Sequence, residues 1–180
     1  MPIHTYKNLE LFFQQYGGGE PALLFIHGLG ASSEAWKYQA AHFEKSHEII
    51  AIDLFGHGRS SKEVDPVFAP RLDAEAIESL MRTKIGKSYF LIGHSFASNI
   101  TPEIIKLGDP NLKGVVFVDC TYQGFEEIIN ARISYAETML ALSDEALNAE
   151  VRKWYTGMIA THPTDEERDF ILASLKHCNY

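Results

Sequence analysis

The chain has 180 residues, 46% of them hydrophobic and 22% charged, the balance of a globular protein with one packed core rather than of a disordered one. Its formal charge of −8 leaves no basic face for phosphate, which argues against a nucleic-acid partner. No apolar run approaches the 18 residues of a membrane span, and the N-terminus lacks the basic-then-apolar order of a signal peptide, so a cytoplasmic location is expected.

In chain order, residues 3–16 alternate partially, as one or two strands do, and Gly17-Gly18-Gly19 ends them in a turn. Ala22–His27, Glu48–Asp53, Tyr89–Gly93 and Gly114–Asp119 are short continuous apolar runs, the pattern of parallel strands buried on both faces. Helices are expected over Ser32–Lys45, behind a Ser-Ser cap signal, and over Asp73–Ile85, with Ile77, Leu80 and Met81 on one face. A third helix spans Phe96–Leu107, where Pro102 falls in the interior and is expected to kink it. The alternation implies an α/β fold: a mostly parallel sheet with helices on both faces, over residues 1–120.

After Cys120 the pattern changes. Residues 124–142, 143–158 and 164–176 read as charged helices with apolar stripes, and residues 121–180 carry −5 of the −8. Cys120 and Cys178 have neither a disulfide pattern nor metal-ligand spacing; they read as free thiols, and neither metal nor cofactor is expected.

Chemistry concentrates in three segments. In "LIGHSFAS" (91–98), Ser95 follows an apolar run and precedes a helix. A serine hydroxyl attacks a carbonyl only when a base removes its proton, and a sharp strand-to-helix turn makes it project clear of the backbone. That turn crowds the residues two before and two after, which are Gly93 and Ala97. Directly after an earlier strand comes His27-Gly28-Leu29-Gly30. Acyl transfer builds negative charge on the substrate oxygen, and two backbone N–H groups can hold it. The amides of Leu29 and Phe96 are the candidates, with Gly28 allowing close approach and His27 ordering the loop; a plain turn is the competing reading. The third segment, Asp53-Leu-Phe-Gly-His-Gly-Arg-Ser-Ser61, reads as a structural loop in which Asp53 caps nearby backbone, with a ligand role for His57 as the alternative.

Taken together, "HGLG", "DLFGHGRSS" and "GHSFAS", in this order on these strands, resemble the α/β-hydrolase fold family from about residue 10 to 120. The resemblance implies a serine hydrolase core with Ser95 as nucleophile and Leu29, Phe96, His27 and Gly28 around the substrate oxygen. It also implies that residues 121–180 form a helical cap, where Phe125, Tyr135, Trp154 and Tyr155 either line a pocket or pack the cap itself. In this family the acid and the histidine follow Ser in chain order. Asp119, at a strand end, is a candidate acid or a turn-capping carboxylate. His177 is a candidate base or a solvated helix-end histidine; His162 is the other histidine after Ser95.

The expected strands carrying the usual acid and base are missing from the sequence, which reads as the N-terminal portion of a longer hydrolase. A sheet without them is expected to expose an edge, leaving the chain either poorly stable or paired with another copy. The implied partner is a small ester-like substrate, attacked through an acyl-enzyme at Ser95. The alternative is a non-catalytic binding protein of the same fold.

Overall fold

A computed structural model describes residues 2–64 and 69–120, together with Thr138, Ala141–Ser143, Glu145, Ala146, Ala149, Glu150 and Lys153. The chain divides into two compact units, the second being Tyr122–Lys176. The expected helices and cap beyond residue 120, with their aromatic residues, His162, His177 and Cys178, lie almost wholly outside the described residues.

Within the first unit a six-stranded sheet has the order β1-β2-β4-β3-β5-β6. The strands are β1 (Ile3–Tyr6), β2 (Leu9–Gly17), β3 (Ala22–Ile26), β4 (Glu48–Ile52), β5 (Tyr89–His94) and β6 (Leu112–Val118). β1 and β2 form a hairpin across Lys7 and Asn8, both with positive φ, a two-residue turn whose twist suits paired strands. β2 meets β4 antiparallel, and β4, β3, β5 and β6 run parallel.

Alternation along β3 and β4 sends side chains to two cores. Leu24, Ile26, Ile50 and Ile52 meet Ile77, Leu80 and Ile104 of helices α2 (Ala69–Leu80) and α3 (Thr101–Leu107). Phe25, Ile49 and Ala51 face Trp36 and Ala40, from a 3-10 turn (Ser33–Trp36) and helix α1 (Lys37–Phe43). Helices therefore cover both faces of a mostly parallel sheet. Each fully buried aliphatic side chain contributes roughly 1.5–3 kcal/mol by leaving water.

Four local expectations need correction. The Ser-Ser signal does not cap its helix: Ser32 makes no side-chain cap bond, and the Ser33 N–H donates instead to Asp53 Oδ1 at 2.7 Å. The segment also begins as a 3-10 turn, with the α-helix starting only at Lys37. Pro102 kinks nothing, because Ser95–Asn99 is a separate 3-10 turn and Pro102 lies in the first turn of α3, where its missing N–H costs no helical bond. β6 is not buried on both faces: Val116, Phe117 and Val118 are exposed.

Asp73, in α2, was not expected in the core. Its carboxyl is buried and accepts a bond from the Phe55 N–H at 2.9 Å. Burial pushes its pKa up to about 8. An acid raised in the folded state gives stability that is complete below its unfolded value near 3.8 and lost as pH rises through about 8. Asp73→Asn keeps the acceptor and removes the ionisation. It should gain on the order of 1–3 kcal/mol over the wild type at pH 8 and nothing at pH 4. Urea unfolding at both values checks this, and an equal gain at both would contradict it.

Candidate active site

β5 delivers Ser95 to the C-terminal edge of the sheet, at the start of the 3-10 turn Ser95–Asn99. Ser95 has φ +47°, a left-handed conformation that costs a residue with a side chain of order 1–3 kcal/mol and clusters at functional sites. The turn leaves no room around it. A Cβ on Gly93 would stand 3.0 Å from Ala97 Cβ and 3.2 Å from Thr101 Oγ1. Thr101 Oγ1 donates to the Ala97 carbonyl at 2.8 Å, closing the turn onto α3. Ala97 is fully buried, so its methyl fills the space that remains.

The loop after β3 lies against this serine. A Cβ on Gly28 would meet Ser95 Cβ at 3.2 Å and His94 Nδ1 at 2.8 Å. His94, half-buried, also presents its ring edge-on to Trp36, centroids 6.4 Å apart. The sequence thus brings Gly28, Leu29, Ser95 and Phe96 into one neighbourhood from segments more than 60 positions apart.

His27 holds that loop from beneath. It is completely buried; Leu54 N–H donates to Nε2 at 3.0 Å and Nδ1 lies 2.7 Å from the Gly28 carbonyl. Since Nε2 accepts, Nδ1 must carry the proton and donate, which fixes one neutral tautomer. Burial, and then the His57 imidazole at 5.2 Å, push its pKa down to about 4. His27 is therefore a strut between two loops, with no nitrogen left for substrate. His57 is buried too, its pKa lowered chiefly by burial, and Nδ1 donates to the Phe55 carbonyl at 3.0 Å.

The loop Asp53–Ser61 fixes the strut in turn. Asp53 is fully buried, accepting from Ser33 N–H through Oδ1 and from Arg59 N–H through Oδ2, each at 2.7 Å. Gly58 has φ +51°, and a Cβ there would lie 2.0 Å from Asp53 Oδ2, so only glycine lets the loop fold over the carboxylate. Ser60 Oγ donates to the Asp53 carbonyl and receives the Phe12 N–H at 2.8 Å, tying the loop to β2. The reading of this segment as structural matches this arrangement.

Asp119 follows β6 at an exposed position, with φ +47° like Ser95. The register pairs His94 with Val118, so Ser95 and Asp119 leave adjacent parallel strands side by side. Neighbouring strands are about 4.8 Å apart. Two left-handed residues at matching strand ends were invisible in the sequence, where Asp119 was a candidate acid or a turn-capping carboxylate. Cys120 lies beside them: its thiol donates to the Gly93 carbonyl at 3.4 Å, and burial raises its pKa, which keeps it protonated. Among the described residues no cluster of His, Cys, Asp and Glu could hold a metal. No described helix is long and apolar enough to cross a membrane.

Comparison with known proteins follows this geometry. A model of the alpha/beta hydrolase fold matches residues 21–172. The chain is 31% identical over 155 residues to (E)-2-((N-methylformamido)methylene)succinate hydrolase of Acinetobacter baylyi, covering 85% of this chain and 57% of that protein. It is 28% identical over 108 residues to an esterase of Mycobacterium tuberculosis, covering 59% of this chain and 35% of that one. A crystal structure of a hydrolase from Pseudomonas aeruginosa superposes with a TM-score of 0.78 at 17% identity, covering 99% of this chain and 67% of that one. The chain spans between about a third and three fifths of the lengths of these curated relatives.

Proposed function

The chain belongs to the α/β-hydrolase fold family, and from that premise we propose that it is the core of a serine hydrolase acting on carboxylic esters or related acyl compounds. The observation that carries this reading is Ser95: a non-glycine residue in left-handed backbone at a strand end, with Gly28 pressed against its Cβ. A hydrolase named for an amide-type succinate derivative and an esterase among the similar proteins support a small acyl substrate.

Ser95 Oγ attacks the substrate carbonyl, passing its proton to a base. The developing oxyanion accepts from the amides of Leu29 and Phe96, the latter in the turn that opens at Ser95. Collapse expels the alcohol and leaves an acyl-enzyme, which water then releases with the same groups reversing their roles. Asp119 is the acid in this reading, supported by its place beside Ser95 across the β5–β6 register. Of the six described histidines, His27 is committed at both nitrogens and His57 at Nδ1, while His94 turns onto Gly28 and Trp36. His4 bonds Ser79, His47 bonds the Pro21 carbonyl, and His42 lies in α1. The base is accordingly sought outside the described residues, where His177 is the candidate and His162 the other histidine of the segment. Residues 121–180 are the helical cap segment in this reading. The non-catalytic alternative has no observation of its own in its favour.

Ester hydrolysis by the wild type and by Ser95→Ala tests the proposal. A series of p-nitrophenyl esters should be turned over by the wild type and only at the uncatalysed rate by the variant. Equal rates for both would remove Ser95 from the reaction.

A further inference from the structure

Leu54 and Phe55 follow β4, and each of their backbone polar groups has a partner. Two of these bonds are local: the Leu54 carbonyl accepts from the His57 N–H at 2.9 Å, and the Phe55 carbonyl from His57 Nδ1 at 3.0 Å. The other two reach distant elements. Leu54 N–H donates to His27 Nε2 at 3.0 Å, and Phe55 N–H donates to Asp73 Oδ1, in α2, at 2.9 Å. Adjacent peptide groups therefore join α2 to the histidine beneath the loop after β3.

The other side of that ring reaches the site. His27 Nδ1–H donates to the Gly28 carbonyl at 2.7 Å, and the Ala31 N–H donates to the same oxygen at 3.2 Å. The Gly28–Leu29 peptide is trans, so its N–H points opposite to its carbonyl. Two donors on the Gly28 oxygen thus set the direction of the Leu29 N–H. Asp73, Phe55, Leu54 and His27 are all buried, and a close-packed interior passes displacement on rather than absorbing it. Without Asp73 the buried Phe55 N–H loses its acceptor, and the loop must turn to find another. The Leu54 N–H, one residue away, turns with it.

We propose that Asp73 is a positioning residue for the hydrolysis assigned to Ser95, acting through Phe55, Leu54 and His27 to aim the Leu29 amide. The catalytic role rests on Ser95 as nucleophile and Leu29 as oxyanion donor; the link from Asp73 to His27 stands without them. Burial keeps the Asp73 carboxyl protonated at neutral pH, so asparagine matches it in charge, size and acceptor.

Hydrolysis of p-nitrophenyl esters at neutral pH and nitrogen NMR of the His27 ring, both on the full 180-residue chain, test the link together. Asp73→Ala removes the acceptor and should lower kcat about ten- to a hundredfold with KM little changed, the signature of a misplaced transition-state donor. Asp73→Leu removes the acceptor while filling the space, and should show the same loss without a void. Asp73→Asn should restore kcat to within roughly threefold of the wild type. The ring spectra should place the proton on Nδ1 alone in the wild type and in Asp73→Asn, and show tautomer exchange in the other two variants. Circular dichroism identifies the folded variants. A folded Asp73→Ala or Asp73→Leu chain with kcat within about twofold of the wild type would overturn the proposal. So would a His27 tautomer indifferent to both. A wild type inert toward esters would remove the catalytic role along with Ser95, and the ring spectra would then decide the link alone.

Discussion

Asp53→Ala should lower the unfolding free energy by about 3–5 kcal/mol. Burying a carboxylate is costly, so the argument rests on what surrounds it. Oδ1 and Oδ2 each receive a backbone N–H at 2.7 Å, from Ser33 and Arg59, and the Arg59 guanidinium Nε lies 3.8 Å from Oδ2. Truncation leaves two inward-facing N–H groups without an acceptor and a void beneath Gly58. The Arg59 guanidinium keeps Glu34 at 2.7 Å and its place over the Phe12 ring, so it does not compensate the loss. For a chain of this length the midpoint should fall by roughly 10 °C or more in a thermal melt. Asp53→Asn retains one oxygen and should cost about half as much. A melt within 2 °C of the wild type for Asp53→Ala, roughly 1 kcal/mol or less, would show that the loop closes without its carboxylate.

Gly28→Val should lower kcat about 10²–10³-fold, the scale of losing an oxyanion donor. Gly28 is not among the residues with positive φ, so its backbone accepts a side chain without strain. The objection is purely one of space: Ser95 Cβ at 3.2 Å and the His94 ring at 2.8 Å from the new Cβ. His94 can swing aside, whereas Ser95 is held by the turn, so the loop bearing the Leu29 amide must retreat from the nucleophile. The loss should appear in kcat rather than KM, with the thermal midpoint little changed. Activity within a few-fold of the wild type would mean that the loop does not hold the oxyanion.

Much of this arrangement could be read from the sequence, because the features involved are local. "GHSFAS" and "HGLG" put small residues where a tight turn and a close approach demand them, and the apolar runs before them mark the strands. What escaped depends on contacts distant in the chain. The cap of the first helical segment is Asp53, twenty positions beyond Ser33, and a Ser-Ser pair in sequence imitates a local one. Asp73 looks like an ordinary polar residue at the start of a helix until the Phe55 loop closes over it. The alignment of Ser95 with Asp119 depends on the β5–β6 register, including the shift near Tyr89, and residue types do not encode register directly.

His27 and Asp73 work in opposite directions, and His57, lowered chiefly by burial, acts in the same sense as His27. His27, lowered to about 4, gives stability present above its ordinary value near 6.5 and lost as pH falls toward 4. Asp73 loses stability as pH rises toward 8. Their effects oppose each other between about 4 and 6.5, and only Asp73 continues above that window.

The account stands on Ser95 as an activated nucleophile, and covalent trapping reads that directly. The chain is incubated with a fluorophosphonate and its peptides are mapped by mass spectrometry. One adduct per chain is expected, on Ser95, and it should vanish in Ser95→Ala while Cys120 stays unmodified in both. A folded chain that takes up no reagent, or an adduct that survives Ser95→Ala, would contradict it.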